Sequence, residues 1–407
     1  GRLERPRMVG MRQLILLLAL AAFGLTACVS SPLPQAGGQV QRDRACQWQH
    51  MELHLVLDQA HEHLKGTARL HVLSLEPATH SITLDLGSLR LAGAVKDSAG
   101  RELELLASRG PLREFKLSSA LARGEEEVLE VRFDGTPGPG LRFESSATGD
   151  WVRLVGGGFF PHVQGRGHFP TLDVTVYADG ELSVVGPGQR LPVTETGIGP
   201  APAHFRIADA TQPSGVNFLV GPMGSLALSG ADQGWCVESG REAGQIWAQA
   251  WTQARATDAQ PGAACRVAFL PQDLEIAGWQ GGWVAIPLGP VEPIAGPRET
   301  SRRLVIEQNL VRGLLPDSEA GRVLVQGLVR HAQASEGLEV EGAEPNRMSR
   351  GLLAMEQELG AAAFESVRTE FLELYRGRPM GVWEWARFAE HRAGFSAQAL
   401  FETLTGR

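Results

Sequence analysis

The sequence predicts an α+β protein in which a β-rich N-terminal part is followed by a mainly helical C-terminal part. Between residues 46 and 228, short runs such as 51–58 and 66–73 alternate apolar and polar residues, as strands with one buried face do. From about residue 299, apolar residues recur at helical spacing instead. Composition agrees, because 43% hydrophobic and 21% charged residues in a chain of 407 are enough for two or three domains with their own cores.

The strand pattern continues beyond the first two runs. Residues 81–86 and 127–133 alternate in the same way, and the turn-forming segment DGTPGPG at 134–140 ends the second of these runs. Several strands with short polar connections and one buried face predict an antiparallel β-sandwich over residues 46–228.

The first residues have the features of a targeting segment. Arg12 precedes the apolar run 14–23, which is too short to span a bilayer and suits the core of a signal peptide. Residues 25–28, Leu-Thr-Ala-Cys, resemble the bacterial lipobox. That resemblance implies a signal peptide over 1–27, lipidation of Cys28 with acyl chains such as palmitate, and a flexible tether over 28–45 rich in Ser, Pro and Gly.

Lipidation would place the protein in a bacterial cell envelope, facing the periplasm or the cell surface. Val29 follows Cys28 where an Asp would favour inner-membrane retention in many bacteria, so the outer membrane is the expected location. The formal charge of −8 becomes about −11 once the signal peptide is removed. Because no Lys/Arg run lies outside the extreme N-terminus, nucleic acid is excluded as a partner, and the lipid anchor is the expected membrane contact.

Three cysteines follow Cys28. In an oxidising envelope Cys236 and Cys265 are the candidates for a disulfide, which would leave Cys46 unpaired, and the sequence by itself does not establish the pairing. Their spacing does not fit a zinc site of the CxxC type.

Residues 302–331 form two helical patterns around a polar turn at Pro316, Asp317 and Ser318. Together with the strand patterns and the helical stretches at 351–360 and 385–394, this pair resembles the membrane alanine aminopeptidases, a gluzincin family of zinc metallopeptidases. The resemblance implies that residues 229–407 form a thermolysin-like domain, a small sheet followed by a helical bundle, and that it is degenerate.

In that family the helix pair holds zinc through two histidines at i and i+4, a Glu general base between them, and a carboxylate from the next helix. The register that keeps the Glu places Ile306 and Leu310 at the histidine positions and leaves Glu307 as a vestigial base. In this register the family's spacing puts the third ligand at Val329. The Glu-Gly pattern of the next helix instead matches at Gln326, and anchoring there moves the histidine positions to Arg303 and Glu307. Neither register supplies a histidine.

Two further family positions differ. Residues 281–287, Gly-Gly-Trp-Val-Ala-Ile-Pro, match the segment that binds the substrate's amino group but contain no carboxylate, and Met348 stands where the family has a tyrosine. The sequence therefore predicts an aminopeptidase-like scaffold without a cofactor, which binds a peptide or protein partner in the former cleft. One alternative is a zinc-dependent aminopeptidase-like hydrolase that uses other ligands, for which His162, His168 and His331 are the candidates. Another is that the β-rich domain is the working part and the helical domain is a structural remnant.

Overall fold

A computed structural model describes residues 46–163, 171–192, 202–208, 215–257, 264–280, 282–288, 296–311, 314–316, 319–338 and 347–405. The expected signal peptide, Cys28, the tether and His168 lie outside these residues. The domain boundaries expected at 27 and 45 therefore stay predictions.

Fifteen strands form the N-terminal part that the structure describes. They are β1 (Cys46–Asp58), β2 (His63–Ser74), β3 (Thr79–Asp85), β4 (Arg90–Leu91), β5 (Glu104–Arg109), β6 (Leu112–Leu121), β7 (Glu126–Gly135), β8 (Leu141–Ser146), β9 (Gly149–Leu154), β10 (His162–Val163), β11 (Thr171–Tyr177), β12 (Ser183–Val185), β13 (Gln189–Leu191), β14 (Ala203–Ile207) and β15 (Phe218–Gly221). They build a seven-stranded sheet in the order β13-β14-β11-β1-β2-β7-β4, and two four-stranded sheets in the orders β10-β3-β6-β5 and β12-β15-β9-β8.

Alternation along the strands explains how these sheets share a core. In β1, Met51, Leu53, Leu55 and Leu57 are buried, while the residues between them face outward, because successive side chains point to opposite faces of a sheet. The expectation of a wholly antiparallel sandwich is wrong in one place, since β1 pairs with β11 in parallel. A parallel neighbour cannot follow a tight hairpin, and β11 enters this sheet only after more than a hundred intervening residues.

A second, smaller sheet follows. It contains β16 (Met223–Ala227), β17 (Gln233–Val237), β18 (Arg266–Pro271), β19 (Gly278–Trp279) and β20 (Val284–Leu288) in the order β16-β17-β18-β20-β19. Helix α1 (Arg241–Ala256) connects β17 to its parallel neighbour β18. The hairpin β16–β17 spans the expected boundary at 228, so the chain already enters the small sheet at Met223.

The rest of the described chain is mainly helical, as the sequence predicts. Its helices are α2 (Pro297–Val311), α3 (Glu319–Ser335), α4 (Arg347–Leu359), α5 (Ala361–Tyr375), α6 (Val382–Ala393) and α7 (Ala397–Thr405), and two short strands, β21 (Leu315–Pro316) and β22 (Pro379–Met380), pair in parallel. Helix α2 begins at a proline, which suits the first helical position because its missing N–H would be unpaired there anyway. None of the helices that the structure describes is long and apolar enough to cross a membrane.

Candidate functional site

Helix α2 lies where two cores of the protein meet. Its residues Leu304 and Val305 pack into the core beneath the small sheet, and Leu310 and Val311 pack into the core of the helical bundle. Ser301, Val305 and Gln308 are its buried residues, at the i, i+4, i+7 spacing of a single helical face. Glu307 and Ile306 therefore lie to either side of that buried face.

Contacts at one end of the α2–α3 pair fix how the two helices are aligned. The Gln333 side chain of α3 donates a hydrogen bond from Nε2 to the Arg303 carbonyl oxygen of α2 at 3.2 Å, and Arg302 forms an ion pair with Glu336. The helices are antiparallel, because the short connection 312–318 joins the end of α2 to the start of α3. Leu310 is seven residues after Arg303 on α2, and Gln326 is seven residues before Gln333 on α3. Seven residues are about two helical turns, so in this antiparallel pair Leu310 and Gln326 lie at the same level along the helix axes.

The predicted metal positions are Ile306 and Leu310 on α2 and Gln326 on α3, and we call these three residues the α2–α3 face. Ile306 and Leu310 are half-buried, and Gln326 is exposed. Aliphatic side chains have no donor atom for a metal, and a neutral amide is a poor zinc ligand beside the thiolates, imidazoles and carboxylates that zinc prefers. The residues present on this face do not fit a zinc ion. Among the described residues, no cluster of three or more His, Cys, Asp or Glu side chains has an arrangement that could hold a metal ion.

Glu307 is half-buried next to this face. Burial raises the pKa of its carboxyl, and no neighbouring charge contributes to the shift. Within the described parts of the chain its carboxylate has neither a hydrogen bond nor an ion pair. Asp173 on β11 shows the opposite behaviour. Arg206 donates bidentate hydrogen bonds to its carboxylate, from Nε to Oδ1 at 2.9 Å and from Nη2 to Oδ2 at 2.8 Å, and these bonds lower the pKa of the carboxyl.

His331 packs inside the helical bundle. Its ring is buried and lies 4.5 Å from the Phe364 ring, centroid to centroid. Its Nε2 is 3.0 Å from Oε2 of Glu356, and because a carboxylate only accepts, Nε2 carries the hydrogen. The sequence offered His331 only as a candidate metal ligand, and it does not reveal the Glu356 partner on α4.

Of the other two histidine candidates, only His162 is among the described residues. His162 lies on β10, at the edge of a sheet in the N-terminal part, with its Nε2 4.0 Å from Oδ2 of Asp85. Burial lowers the pKa of this imidazole, and the charge of Asp85 partly opposes that effect. His168 is not among the described residues. His162 and His331, the two candidates that the structure describes, have different neighbours: Asp85 beside His162, and Glu356 and Phe364 beside His331.

The expected disulfide between Cys236 and Cys265 is wrong, because both thiols are free and buried in the structure. In the parallel pairing of β17 with β18, Cys236 lies opposite Phe269. Cys265 is four residues before Phe269, so the two cysteines are offset along the strands by four residues. Four strand residues correspond to about 13 Å, whereas bridged cysteines need Cα atoms within about 7 Å. Burial raises the pKa of the Cys236 thiol to about 11, and it also raises that of Cys265.

Two positions singled out by the resemblance are used for packing. Met348 is buried, and a Cβ added at Gly327 would lie 3.0 Å from its Cγ, so the Gln326-Gly327 segment allows α3 to approach α4 closely.

The segment that contains Gly282 is also closely packed, since a Cβ added at Gly282 would be 2.4 Å from Cβ of Pro187. The neighbouring Trp283 is buried and donates from Nε1 to the Asn217 carbonyl oxygen at 2.9 Å, a role that its sequence context does not reveal.

The mixed α+β architecture, with its sheets followed by a helical bundle, is that of the M1 zinc metallopeptidases. An M1 zinc metallopeptidase from Deinococcus radiodurans superimposes with a TM-score of 0.67 at 19% identity, covering 89% of this chain and 93% of that one. A mutant of that enzyme bound to a Tyr-Ser-Ala substrate gives a TM-score of 0.64 at 18% identity, covering 89% and 94%. Native yeast LTA4 hydrolase gives 0.70 at 12% identity, covering 92% of this chain and 70% of the hydrolase. No protein-family model matches the sequence. The aminopeptidase-like scaffold expected from the sequence is thereby confirmed.

Proposed function

We propose that this chain is a non-catalytic, envelope-anchored relative of the M1 peptidases that binds a peptide or a segment of a partner protein beside α2. The observation that carries the proposal is the composition of the α2–α3 face. In the register that keeps Glu307, the aliphatic residues Ile306, Leu310 and Val329 take the places of the three zinc ligands. In the register anchored on Gln326, an amide takes the third place and no histidine takes the first two. Such a face suits contact with a peptide better than coordination of a metal.

Two further observations support this proposal. His331 already uses its Nε2 to bind Glu356, and withdrawing it as a ligand would open the bundle core around Phe364. The Deinococcus radiodurans mutant was bound to a Tyr-Ser-Ala peptide, so a protein of this fold holds a short peptide. A scaffold that keeps its helices but lacks the ligands can retain peptide binding while losing hydrolysis.

The test is metal content by elemental mass spectrometry on residues 47–407, run beside hydrolysis of an aminoacyl anilide with and without added zinc. We expect less than about 0.1 zinc per chain after dialysis, and no turnover above the uncatalysed rate. About one zinc per chain with chelator-sensitive turnover would contradict the proposal. In that case loss of the metal in His162→Ala, His168→Ala or His331→Ala would identify unusual ligands.

The lipid anchor is a separate part of the proposal and rests on the Leu-Thr-Ala-Cys segment at 25–28. Expressed in a bacterium, the full chain should fractionate with membranes, and its mature N-terminal peptide should carry the mass of a diacylglyceryl group on Cys28. Cys28→Ala should move the protein out of the membrane fraction, whereas Cys46→Ala should leave it there. An unmodified Cys28 in the wild-type protein would contradict the anchor without affecting the peptide-binding proposal.

A further inference from the structure

Strand β5 forms an open edge of the sheet β10-β3-β6-β5. Most other edge strands that the structure describes have only two or three residues, and a short edge strand is protected from pairing with another chain. β5 and β8 are the longest, with 6 residues each. β8 begins at the buried Leu141 and its Phe143 packs against the core, whereas all but one of the residues of β5 are exposed. β5 is therefore the longest exposed edge in the described part of the chain.

Two leucines make this edge apolar. Leu105 and Leu106 are 49% and 48% exposed, and among the described residues they are the only exposed large apolar side chains that adjoin in sequence. Leu105 lies opposite Phe115 of β6, which belongs to the core of the N-terminal sheets, so Leu105 is on the core side of the sheet but extends beyond the residues that cover it. Adjoining exposed apolar side chains on an unpaired strand indicate a contact surface.

Only one of the usual features that prevent strand pairing is present on β5. A bulge between Leu105 and Ala107 interrupts the pairing with β6. The strand contains neither lysine nor proline, and its charged residues, Glu104 and Arg109, lie at its two ends. The bulge limits the number of backbone hydrogen bonds that an added strand can form, so side chains must select the occupant of this edge.

The charges at the two ends of β5 select a second copy of the same strand. The Glu104 side chain is 67% exposed, with a 3.5 Å ion pair to Lys116, and Arg109 is exposed as well. When two β5 strands pair in antiparallel fashion, the register that places Glu104 opposite Arg109 of the second copy does so twice, because the pair has a two-fold axis. Opposite charges directly across an antiparallel pair are favourable. A parallel pair in register would instead bring like charges together.

We propose that two copies of this chain form a dimer through antiparallel pairing of their β5 strands, with Leu105 and Leu106 of each copy at the contact. The pairing joins the two four-stranded sheets into one continuous sheet across the dimer. An interface built from one strand of each copy belongs to the small, weak class, so we expect a dissociation constant of about 10 to 100 µM. This dimer is independent of the peptide-binding function proposed above.

The first test is cysteine cross-linking of the full chain, in a bacterium that expresses two differently tagged versions. A Glu104→Cys chain and an Arg109→Cys chain should form a disulfide, because directly opposite residues of an antiparallel pair have Cα atoms about 4.5–5.5 Å apart, as a disulfide requires. This mixed dimer keeps its second Glu104–Arg109 pair. The native cysteines that the structure describes are buried and should not compete.

The controls for the cross-link are each chain expressed alone, and the Glu104→Cys chain expressed with a Leu353→Cys chain. Leu353 is 46% exposed but lies on α4, so these controls should give only background. The proposal is overturned if the Glu104→Cys and Arg109→Cys chains do not link above this background. A link to a protein of a different mass would identify another occupant of the edge and would also overturn it.

The second test reverses the charges and measures association by sedimentation equilibrium of the full chain in density-matched detergent. Glu104→Arg or Arg109→Glu creates two like-charge contacts and should weaken association roughly 10-fold, and the double reversal should restore the wild-type affinity. All three variants should keep the wild-type melting temperature, because both side chains are exposed. A wild-type protein that stays monomeric well above the expected range overturns the dimer, and single reversals without effect, or a double reversal that does not restore affinity, overturn the β5 pairing.

A further variant tests the apolar contact without using the two charged positions. Leu106→Lys places on the edge a residue that discourages strand pairing, so it should weaken association at least as much as one charge reversal. Leu353→Lys is the matched control, since it makes the same change at a similarly exposed leucine of α4 and should leave association unchanged. Equal effects of the two substitutions would contradict a contact at β5.

Discussion

At the scale of single residues, Glu307 should lower the stability of the folded protein at neutral pH. Burial raises the pKa of its carboxyl, so the folded state keeps this proton to higher pH than the unfolded state does. Stability therefore falls as the pH rises from the unfolded pKa, about 4.3, through the raised folded value. Glu307→Gln removes the ionisation and is expected to raise the unfolding free energy at pH 7 while changing it little below pH 4.

Urea denaturation of the two proteins at pH 4 and pH 7 checks this prediction. Glu358→Gln is the control, because an exposed carboxyl should give the same small change at both pH values. A loss of stability in Glu307→Gln at pH 7 would mean that the carboxylate has a stabilising partner. Functional sites often contain residues that lower the stability of the fold, so a residue whose replacement raises stability is a candidate functional residue.

The cysteines give a second prediction at this scale. Because Cys46, Cys236 and Cys265 are free and buried, intact mass should not change on reduction, and alkylation of native protein at pH 8 should be slow. After denaturation, protein spanning residues 46–407 should take up three equivalents of alkylating reagent without prior reduction. A mass increase of two hydrogens on reduction would restore the disulfide predicted from sequence.

The sequence predicted which residues stand at the family's ligand and base positions on the helix, but not which side chains contact them. The Glu307 register follows from the pattern Ile-Glu-Gln-Asn-Leu alone, since identity and spacing are both local properties. That Arg303 binds Glu299 rather than Glu307 depends on side-chain conformations that are equally compatible with the sequence. The disulfide prediction failed for a related reason, because strand register decides the distance between cysteines and the sequence does not contain it.

At the scale of elements, the hydrogen bond between His331 of α3 and Glu356 of α4 should stabilise the packing of these two helices. His331→Ala removes the hydrogen bond and the packing against Phe364, so it should cost roughly 2–4 kcal/mol of unfolding free energy. Glu356→Gln keeps an oxygen that accepts from Nε2, so it should cost less than about 1 kcal/mol. Thermal and urea unfolding of both variants check the difference.

The same pair of variants separates a structural His331 from a metal-binding one. A structural role predicts that added zinc stabilises neither the wild type nor either variant. Should zinc raise the melting temperature of the wild type and not of His331→Ala, the histidine would be a ligand, and the zinc-dependent alternative would regain support.

Strands and helices were predictable where the pattern is local. Alternation located β1, β2, β3 and β7 to within a few residues, and helical spacing located the α2–α3 pair. Strands β5 and β6 were missed, because β5 is exposed along most of its length and so lacks the alternation that marks a buried face. The parallel pairing of β1 with β11 joins segments far apart in sequence, and no local pattern encodes such a partner.

At the scale of the whole molecule, α2 and the small sheet connect the N-terminal sheets to the helical bundle. One core contains Trp151, Val185 and Leu219 from the N-terminal part together with Trp235 and Trp283 from the small sheet. Helix α2 in turn belongs to both the core below the small sheet and the bundle core. Residues 45–407 accordingly form one unit.

Trp283 is the residue through which this connection can be tested. Its ring is buried where the N-terminal sheets meet the small sheet, and its Nε1 donates to the backbone of Asn217 at 2.9 Å. The Asn217 side chain continues the junction by accepting from the Gly156 amide at 2.9 Å and donating to the Gln280 carbonyl at 3.4 Å. Trp283→Ala would open a cavity in this junction and remove one of these bonds, at a cost of about 3–5 kcal/mol.

We therefore expect the wild-type protein to unfold in one calorimetric transition and Trp283→Ala to unfold in two, because the parts on either side of the junction keep their own cores. Trp247→Ala is the matched control, since it makes the same change on α1 at a half-buried position outside this junction and should lower the melting temperature with a single transition retained. If Trp283→Ala also unfolds in a single transition, the two parts must be coupled by contacts other than this core. The bundle and the N-terminal sheets would then share one cooperative unit through α2 itself, which packs into both the bundle core and the core below the small sheet.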